Sequence, residues 1–403
     1  MLVIAIILTM IAGLAQSPLA DIAPGLPMRD VIDDALLVLA LVVALPRLGT
    51  SPLLASTFIF AWILCVVVAV LAVARVDTSD EIVIARQIAV PAVVIYLGLQ
   101  LRSAEWDQVK RAGIVLGIVN ACYMLVELSG FYIFDPAALV SGDSIGERIT
   151  DGKPAYFYYW TGGSGLPPIT RLGGLFLNPP IAGVATAAAL VALFHTRDFK
   201  LHRTWMTVLT VVTILSFARA GWLIAVIGIL IPVLVKRFGK FASVVLVVPV
   251  AWYAWAELGA QGNSASHSDG LASGVRIAFD SVFGVGLGTF GNYAHRVTFA
   301  TEGGESLAGI ALAGFGLIAL VMLATLSVVL FLNLSSDADR WEAGLGLGIV
   351  IAALLSESAG ALNGTTLAWL AVGVALRAAH ERAKRSAVHS AQGGKAIYRN
   401  ADT

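Results

Sequence analysis

KRAGIVLGIVNACYMLVELSGFYIF, residues 110–134, opens with two cations, Lys110 and Arg111, and then holds a single carboxylate, Glu127, in a long apolar run. Such a run predicts an α-helix over 112–134 that crosses a bilayer. About 20 apolar residues at 1.5 Å each match a hydrocarbon core of about 30 Å. The same pattern repeats on both sides. Upstream it predicts spans near 2–16, 31–46, 52–74 and 82–101; downstream, near 180–195, 204–217, 220–235, 241–258, 306–332, 343–359 and 365–377. The expected fold is therefore an all-α, polytopic integral membrane protein with about twelve transmembrane helices.

Composition agrees. Of 403 residues, 58% are hydrophobic and 13% charged, with a mean hydropathy of +0.85. That is too little charge to cover a soluble protein of this size. A formal net charge of zero removes the global field expected of a nucleic-acid binder. Cys65 and Cys122 both fall inside apolar spans, which argues against a disulfide framework or a zinc site. The small residues around Ala15-Gln16-Ser17 imitate a signal-peptide cleavage site. The basic start of such a peptide is missing, so the first stretch reads as a membrane helix.

Orientation follows from Lys and Arg. Alternate connections carry Arg47; Arg102, Lys110 and Arg111; Arg197, Lys200 and Arg203; Lys236, Arg237 and Lys240; Arg340; and the tail from Arg377 to Arg399. These hold most of the basic residues and are expected in the cytoplasm, with both termini. The organisation expected is five helices over 1–134, an extracytoplasmic loop over 135–170, a helical core over 171–380 that includes a second large loop over 259–305 before the tenth helix, and a solvated basic tail over 381–403. Loops of that length are functional or disordered, and the aromatics Tyr156 to Trp160 argue against disorder in the first.

Ionisable side chains are costly in a membrane, so their depth is informative. Asp33 and Asp34 open the second span, Arg86 and Glu127 lie one and two turns below the outer surface, and Arg219 sits in a tight turn. Glu357 lies near the outer end of the eleventh span. Arg86 and Glu127 are expected to form an ion pair. Carriers usually hold such groups along a path near the midplane, whereas here they collect toward one face. That favours an enzyme open to the outer leaflet over a pump; the bland alternative is snorkelling to the nearer interface.

Four stretches then follow in order: Arg171-Leu-Gly-Gly-Leu-Phe-Leu-Asn178-Pro179-Pro180; Ser216-Phe-Ala-Arg219-Ala-Gly-Trp222; Gly274-Val-Arg276 with Gly284-Val-Gly286-Leu-Gly288; and Glu305-Ser306 leading to Gly314-Phe-Gly316. Together they resemble the O-antigen ligase and O-antigen polymerase superfamily of bacterial envelope glycan assembly, over roughly half of the chain. The resemblance implies an inverting, metal-independent glycosyltransferase of the bacterial cytoplasmic membrane, without cofactor. It would take a glycan from undecaprenyl diphosphate on the extracytoplasmic side and pass it to an acceptor glycan or lipid, with a chain-length regulator as a possible partner. Arg171, Arg219 and Arg276 are expected to contact the diphosphate, because guanidinium forks match phosphate oxygens. An acceptor hydroxyl needs a base. Ligases of this superfamily place a His before the tenth span; this chain has Glu305 there, with Glu302 and His295 as competing candidates and Asn178 as a secondary site residue. The departure favours a polymerase over a ligase. A transporter or flippase of lipid-linked sugar is the alternative from another class. Gly286 to Gly291 spells GxGxxG, but in a loop without strand–helix–strand context, and His267-Ser-Asp269 lacks a third partner nearby. Both are discounted.

Overall fold

In the computed structural model the chain is predominantly α-helical. The structure describes residues 1–22, 32–50, 78–136, 149–150, 152–159, 167–243, 245, 249, 264–286, 290, 306–334 and 341–401. The spans expected at 52–74 and 241–258 thus lie wholly or mostly outside the described residues. In order, the helices are α1 (Leu2–Ile22), α2 (Ile32–Ala44), α3 (Thr78–Gln100), α4 (Ser103–Leu128), α5 (Pro179–Phe194), α6 (His202–Leu215), α7 (Arg219–Phe238), α8 (Ser264–Asp280), α9 (Leu307–Phe315), α10 (Leu317–Asn333), α11 (Glu342–Leu355) and α12 (Leu362–Ala401). Three of these are long and apolar enough to cross a membrane: α1 through Leu2–Leu19, α4, and α7.

Local chemistry sets the boundaries. α4 starts well before the expected residue 112, because the Glu105 carboxylate accepts from the Arg102 N–H at 2.9 Å and caps the first turn. It ends at Gly130, whose φ of +82° suits glycine. α5 begins at Pro179-Pro180 behind the N-cap Asn178, whose side chain accepts from Ile181 N at 3.3 Å. Its Ala-rich sequence lets α5 sit centrally, packed by α4, α6, α7 and α12. α4 to α7 run up and down. Arg111 at the start of α4 pairs with Asp198 after α5, while Glu127 at the far end of α4 bonds Gly174 just before α5. Lys110, Arg111, Arg197, Lys200, Arg203, Lys236 and Arg237 therefore share one end of the bundle, and Arg171 and Arg219 the other.

The structure departs from the sequence expectations in four further places. The single span expected over 306–332 is two helices, broken at Gly316, where φ is +62° and a Cβ would lie 2.3 Å from the Val282 carbonyl oxygen. The 259–305 loop contains α8, which packs on α9 because Gly270 and Gly274, one turn apart, both meet Gly309 at backbone distance. The all-α expectation omits two short ribbons, β1 (Ile149–Thr150) with β2 (Lys153–Pro154) and β3 (Tyr158–Tyr159) with β4 (Ile169–Thr170). The last helix does not stop near 377 but continues as α12 to Ala401.

α3 and α12 cross at glycines. A Cβ on Gly98 would lie 2.3 Å from Leu370 O, and one on Gly373 would lie 2.1 Å from Ile95 O. Backbone cannot yield as a side-chain tip does. Gly98→Val and Gly373→Val should each cost about 1–3 kcal/mol or more through overpacking, read as a lower thermal midpoint in detergent. An unchanged midpoint for both would refute this crossing.

Candidate functional site

Between β4 and α5 the chain runs through Arg171 to Asn178 as a loop packed into one end of the bundle, and buried polar groups hold it there. Arg171 N donates to Phe157 O at 2.6 Å, continuing the β3–β4 ribbon. Gly174 N donates to the Glu127 carboxylate at 2.7 Å, and the neighbouring Gly173 amide also acts on it electrostatically. Leu175 N donates to Asn120 Oδ1 at 2.8 Å, and Ser17 Oγ donates to Phe176 O at 2.8 Å. Asn120 is fully buried and Glu127 is 2% exposed. Buried amides left without partners cost about 1–3 kcal/mol each, so these two α4 side chains are what allow an irregular segment at this depth. Gly174 is required: its φ is +59°, and a Cβ would sit 2.3 Å from Asn120 Oδ1. Leu177 adopts φ +47° without being glycine.

A second turn approaches from α6 and α7. Ser216 Oγ donates to Thr213 O at 2.7 Å and accepts from Ala218 N at 3.3 Å. Phe217 is held at φ +49°, a conformation that costs a non-glycine residue about 1–2 kcal/mol. Its ring stacks on Tyr159 at 4.8 Å and tilts against Trp222 at 5.9 Å, which ties the turn to the β3–β4 ribbon. Arg219 follows as the first residue of α7, and Ala218 before it supplies no side-chain cap. A cation at a helix N-terminus opposes the macrodipole, whereas an anion there is favoured.

The two arginines feel each other. Arg171 is half-buried, its Nη2 donates to the Tyr156 carbonyl, and its Nε makes no hydrogen bond among the described residues. Burial lowers its pKa to about 10, the nearby Arg219 charge adds to that, and Tyr159 and Tyr156 oppose it. No carboxylate is among the described groups acting on Arg171. It stays protonated at neutral pH, so two partly desolvated cations lie within electrostatic reach of each other. An anion between them would relieve both the desolvation and the repulsion.

The other expected site residues fall elsewhere. Arg276 is exposed on α8 and is not among the groups acting on Arg171. Asn178 is a helix cap. The expected Arg86–Glu127 ion pair is not formed. Arg86 instead meets Asp34 at 2.7 Å and Asp33 at 3.1 Å, because α3 packs against α2, while Glu127 faces the Gly173-Gly174 amides. Glu357 accepts from Gln87 Nε2 at 2.9 Å. Glu305, Glu302 and His295 lie outside the described residues. Ser306, beside Glu305, caps α9 by accepting from Gly309 N at 2.9 Å. Asn120 was not anticipated. Its signal was its place seven residues before Glu127, on the same helical face. Among the described residues no group of three or more His, Cys, Asp or Glu could hold a metal.

Comparison with family models, with curated proteins and with solved structures finds no match to this chain.

The repartnering of Arg86 is testable by double-mutant cycles on thermal stability in detergent. Arg86→Met with Asp33→Asn should show a coupling of about 0.5–3 kcal/mol. Arg86→Met with Glu127→Gln should be additive within about 0.5 kcal/mol. The reverse pattern would restore the Arg86–Glu127 pair.

Proposed function

We propose that this chain is a bacterial membrane glycosyltransferase of the O-antigen polymerase and ligase type, which joins polyprenyl-diphosphate-linked repeat units at the extracytoplasmic leaflet. In this reading the chain crosses the cytoplasmic membrane about twelve times with both termini inside. The basic residues gathered at one end of α4 to α7 support that orientation, since the positive-inside rule assigns that end to the cytoplasm. The opposite end, bearing Arg171 and Arg219, then faces outward.

One observation carries the proposal: Arg171 and Arg219 come from separate elements to within electrostatic reach of each other, with the Arg171 Nε making no hydrogen bond among the described residues. Outward-facing arginines are disfavoured by the sorting rule, and two in mutual repulsion call for an anion. A lipid diphosphate supplies one with several oxygens, which guanidinium groups bind as forks. In the reaction the acceptor hydroxyl attacks the anomeric carbon from the face opposite the diphosphate. The bond from that carbon to the diphosphate oxygen breaks with its electron pair, and configuration inverts. The hydroxyl proton passes to a base, assigned to Glu305, with Glu302 next. Charge develops on the departing oxygen, so fixed cations there act more strongly on the transition state than on the ground state. Arg276 belongs to this proposal as a third diphosphate contact. A carboxylate at Glu305 in place of a ligase-type His favours chain polymerisation over transfer to a lipid or protein acceptor.

In a strain whose long-chain surface glycan depends on this protein, Arg171→Ala and Arg219→Ala should abolish long chains while the protein remains folded in the membrane. Arg171→Lys should rescue little, because a point charge does not replace the planar fork. Long chains at the wild-type level from Arg171→Ala would refute the proposal; normal chains from Glu305→Gln would move the base to Glu302.

A further inference from the structure

At the end of the bundle opposite Arg171, a cavity of about 470 Å³ opens between the starts of α4 and α11 and the middle of α12. It is a helix length from the arginine pocket: α5, 16 residues long, rises about 24 Å from Asn178 to His195, which lines the cavity.

The floor is aromatic. Trp106 stacks on Trp341 at 6.1 Å, and Trp341 stacks on His195 at 5.6 Å with planes 10° apart. The His195 Nε2 lies 3.4 Å from the Gly228 carbonyl oxygen. The rim is cationic. Arg102, Lys110, Arg377 and Arg382 line it, against Asp107, Glu342 and Glu381. Each of these carboxylates is already engaged: Asp107 by Lys110 at 2.8 Å, Glu381 by Arg377 at 2.9 Å, and Glu342 by the Trp106 indole N–H at 2.9 Å. The lining therefore holds one more cation than carboxylate. The N-terminal ends of α4 and α11 add partial positive charge from two directions. Beside the mouth, α10 ends at Asn333, which bonds Arg382, and just before it Val328 and Leu332 are 54% and 59% exposed. Charge for a headgroup thus adjoins an apolar face for acyl chains.

We propose that this cavity binds a phosphate-bearing headgroup, separately from the Arg171 pocket. Its volume suits a glycerol phosphate with its first ester carbons, and basic pockets between membrane helices hold anionic headgroups by this combination of charge and apolar flank.

The test uses the full-length chain purified in detergent, exchanged with dioleoyl phosphatidylglycerol or dioleoyl phosphatidylcholine, and read by native mass spectrometry. Phosphatidylglycerol should be retained preferentially. Arg102→Gln with Lys110→Gln should lower its retention by about fivefold per charge removed, and Arg382→Gln should lower it similarly. A thermal midpoint for each variant identifies those that remain folded. Arg102→Gln alone, at an exposed position, serves if the others do not. If millimolar glycerol 3-phosphate displaces the lipid, the natural occupant is a soluble phosphate ester; if it does not, the occupant is the lipid. Equal retention of the two lipids, or unchanged retention in the folded cavity variants, would overturn the proposal.

Discussion

A loop placed inside a helical bundle must find partners for its amide groups. Two side chains on α4 meet that demand here. Glu127 and Asn120, two turns apart on one face, take the N–H groups of Gly174 and Leu175. What they hold is the segment that carries Arg171 into the pocket and delivers Asn178 to the start of α5. The arginine pocket is thus built indirectly. Arg171 rests on a buried carboxylate that is not among the groups acting on it, and the strain at Phe217 in the adjoining turn is held by its ring against Tyr159 and Trp222.

The same helices link two unlike ends. α4 runs from the cavity lined by Trp106 and Lys110 to the loop held by Glu127, and α5 returns from Asn178 to His195. One end presents Arg171 in its loop and Arg219 at a helix start; the other presents a cation-rich rim over an aromatic floor. Small residues on α5 let both helices pass through the centre with α7 and α12 against them. The bundle is therefore polar at its two ends and apolar between, and three of its helices are long and apolar enough to cross a membrane.

Much of this was legible in the residue order. Hydropathy located α1, α4, α5 and α7, because apolar runs bounded by charge have one reading at that length. Arg171 and Arg219 stood out as cations in turns where basic residues are disfavoured. The partner of Arg86 did not. Sequence reports how deep a residue lies along its helix, but not which neighbour its face meets, and α3 turns Arg86 toward Asp33 and Asp34 on α2. Gly316 was also misread, since one glycine in an apolar run is tolerated by a helix as often as it breaks it. Only the docking of residues 282–285 against 313–317 shows why the helix breaks there. The Gly270/Gly274 pair that packs α8 on α9 was visible as a spacing, but a polar helix in a loop has no hydropathic signature to draw attention to it.

The central claim is that Arg171 and Arg219 form one site for a lipid diphosphate. It is tested most directly by equilibrium binding of undecaprenyl diphosphate to the purified chain in nanodiscs of neutral lipid, compared with Arg171→Ala and Arg219→Ala in the same discs. The account predicts saturable binding that either substitution alone weakens by a similar large factor, with the double substitution adding little, because both groups grip one anion. Binding that is indifferent to both substitutions, or losses that simply add, would contradict it.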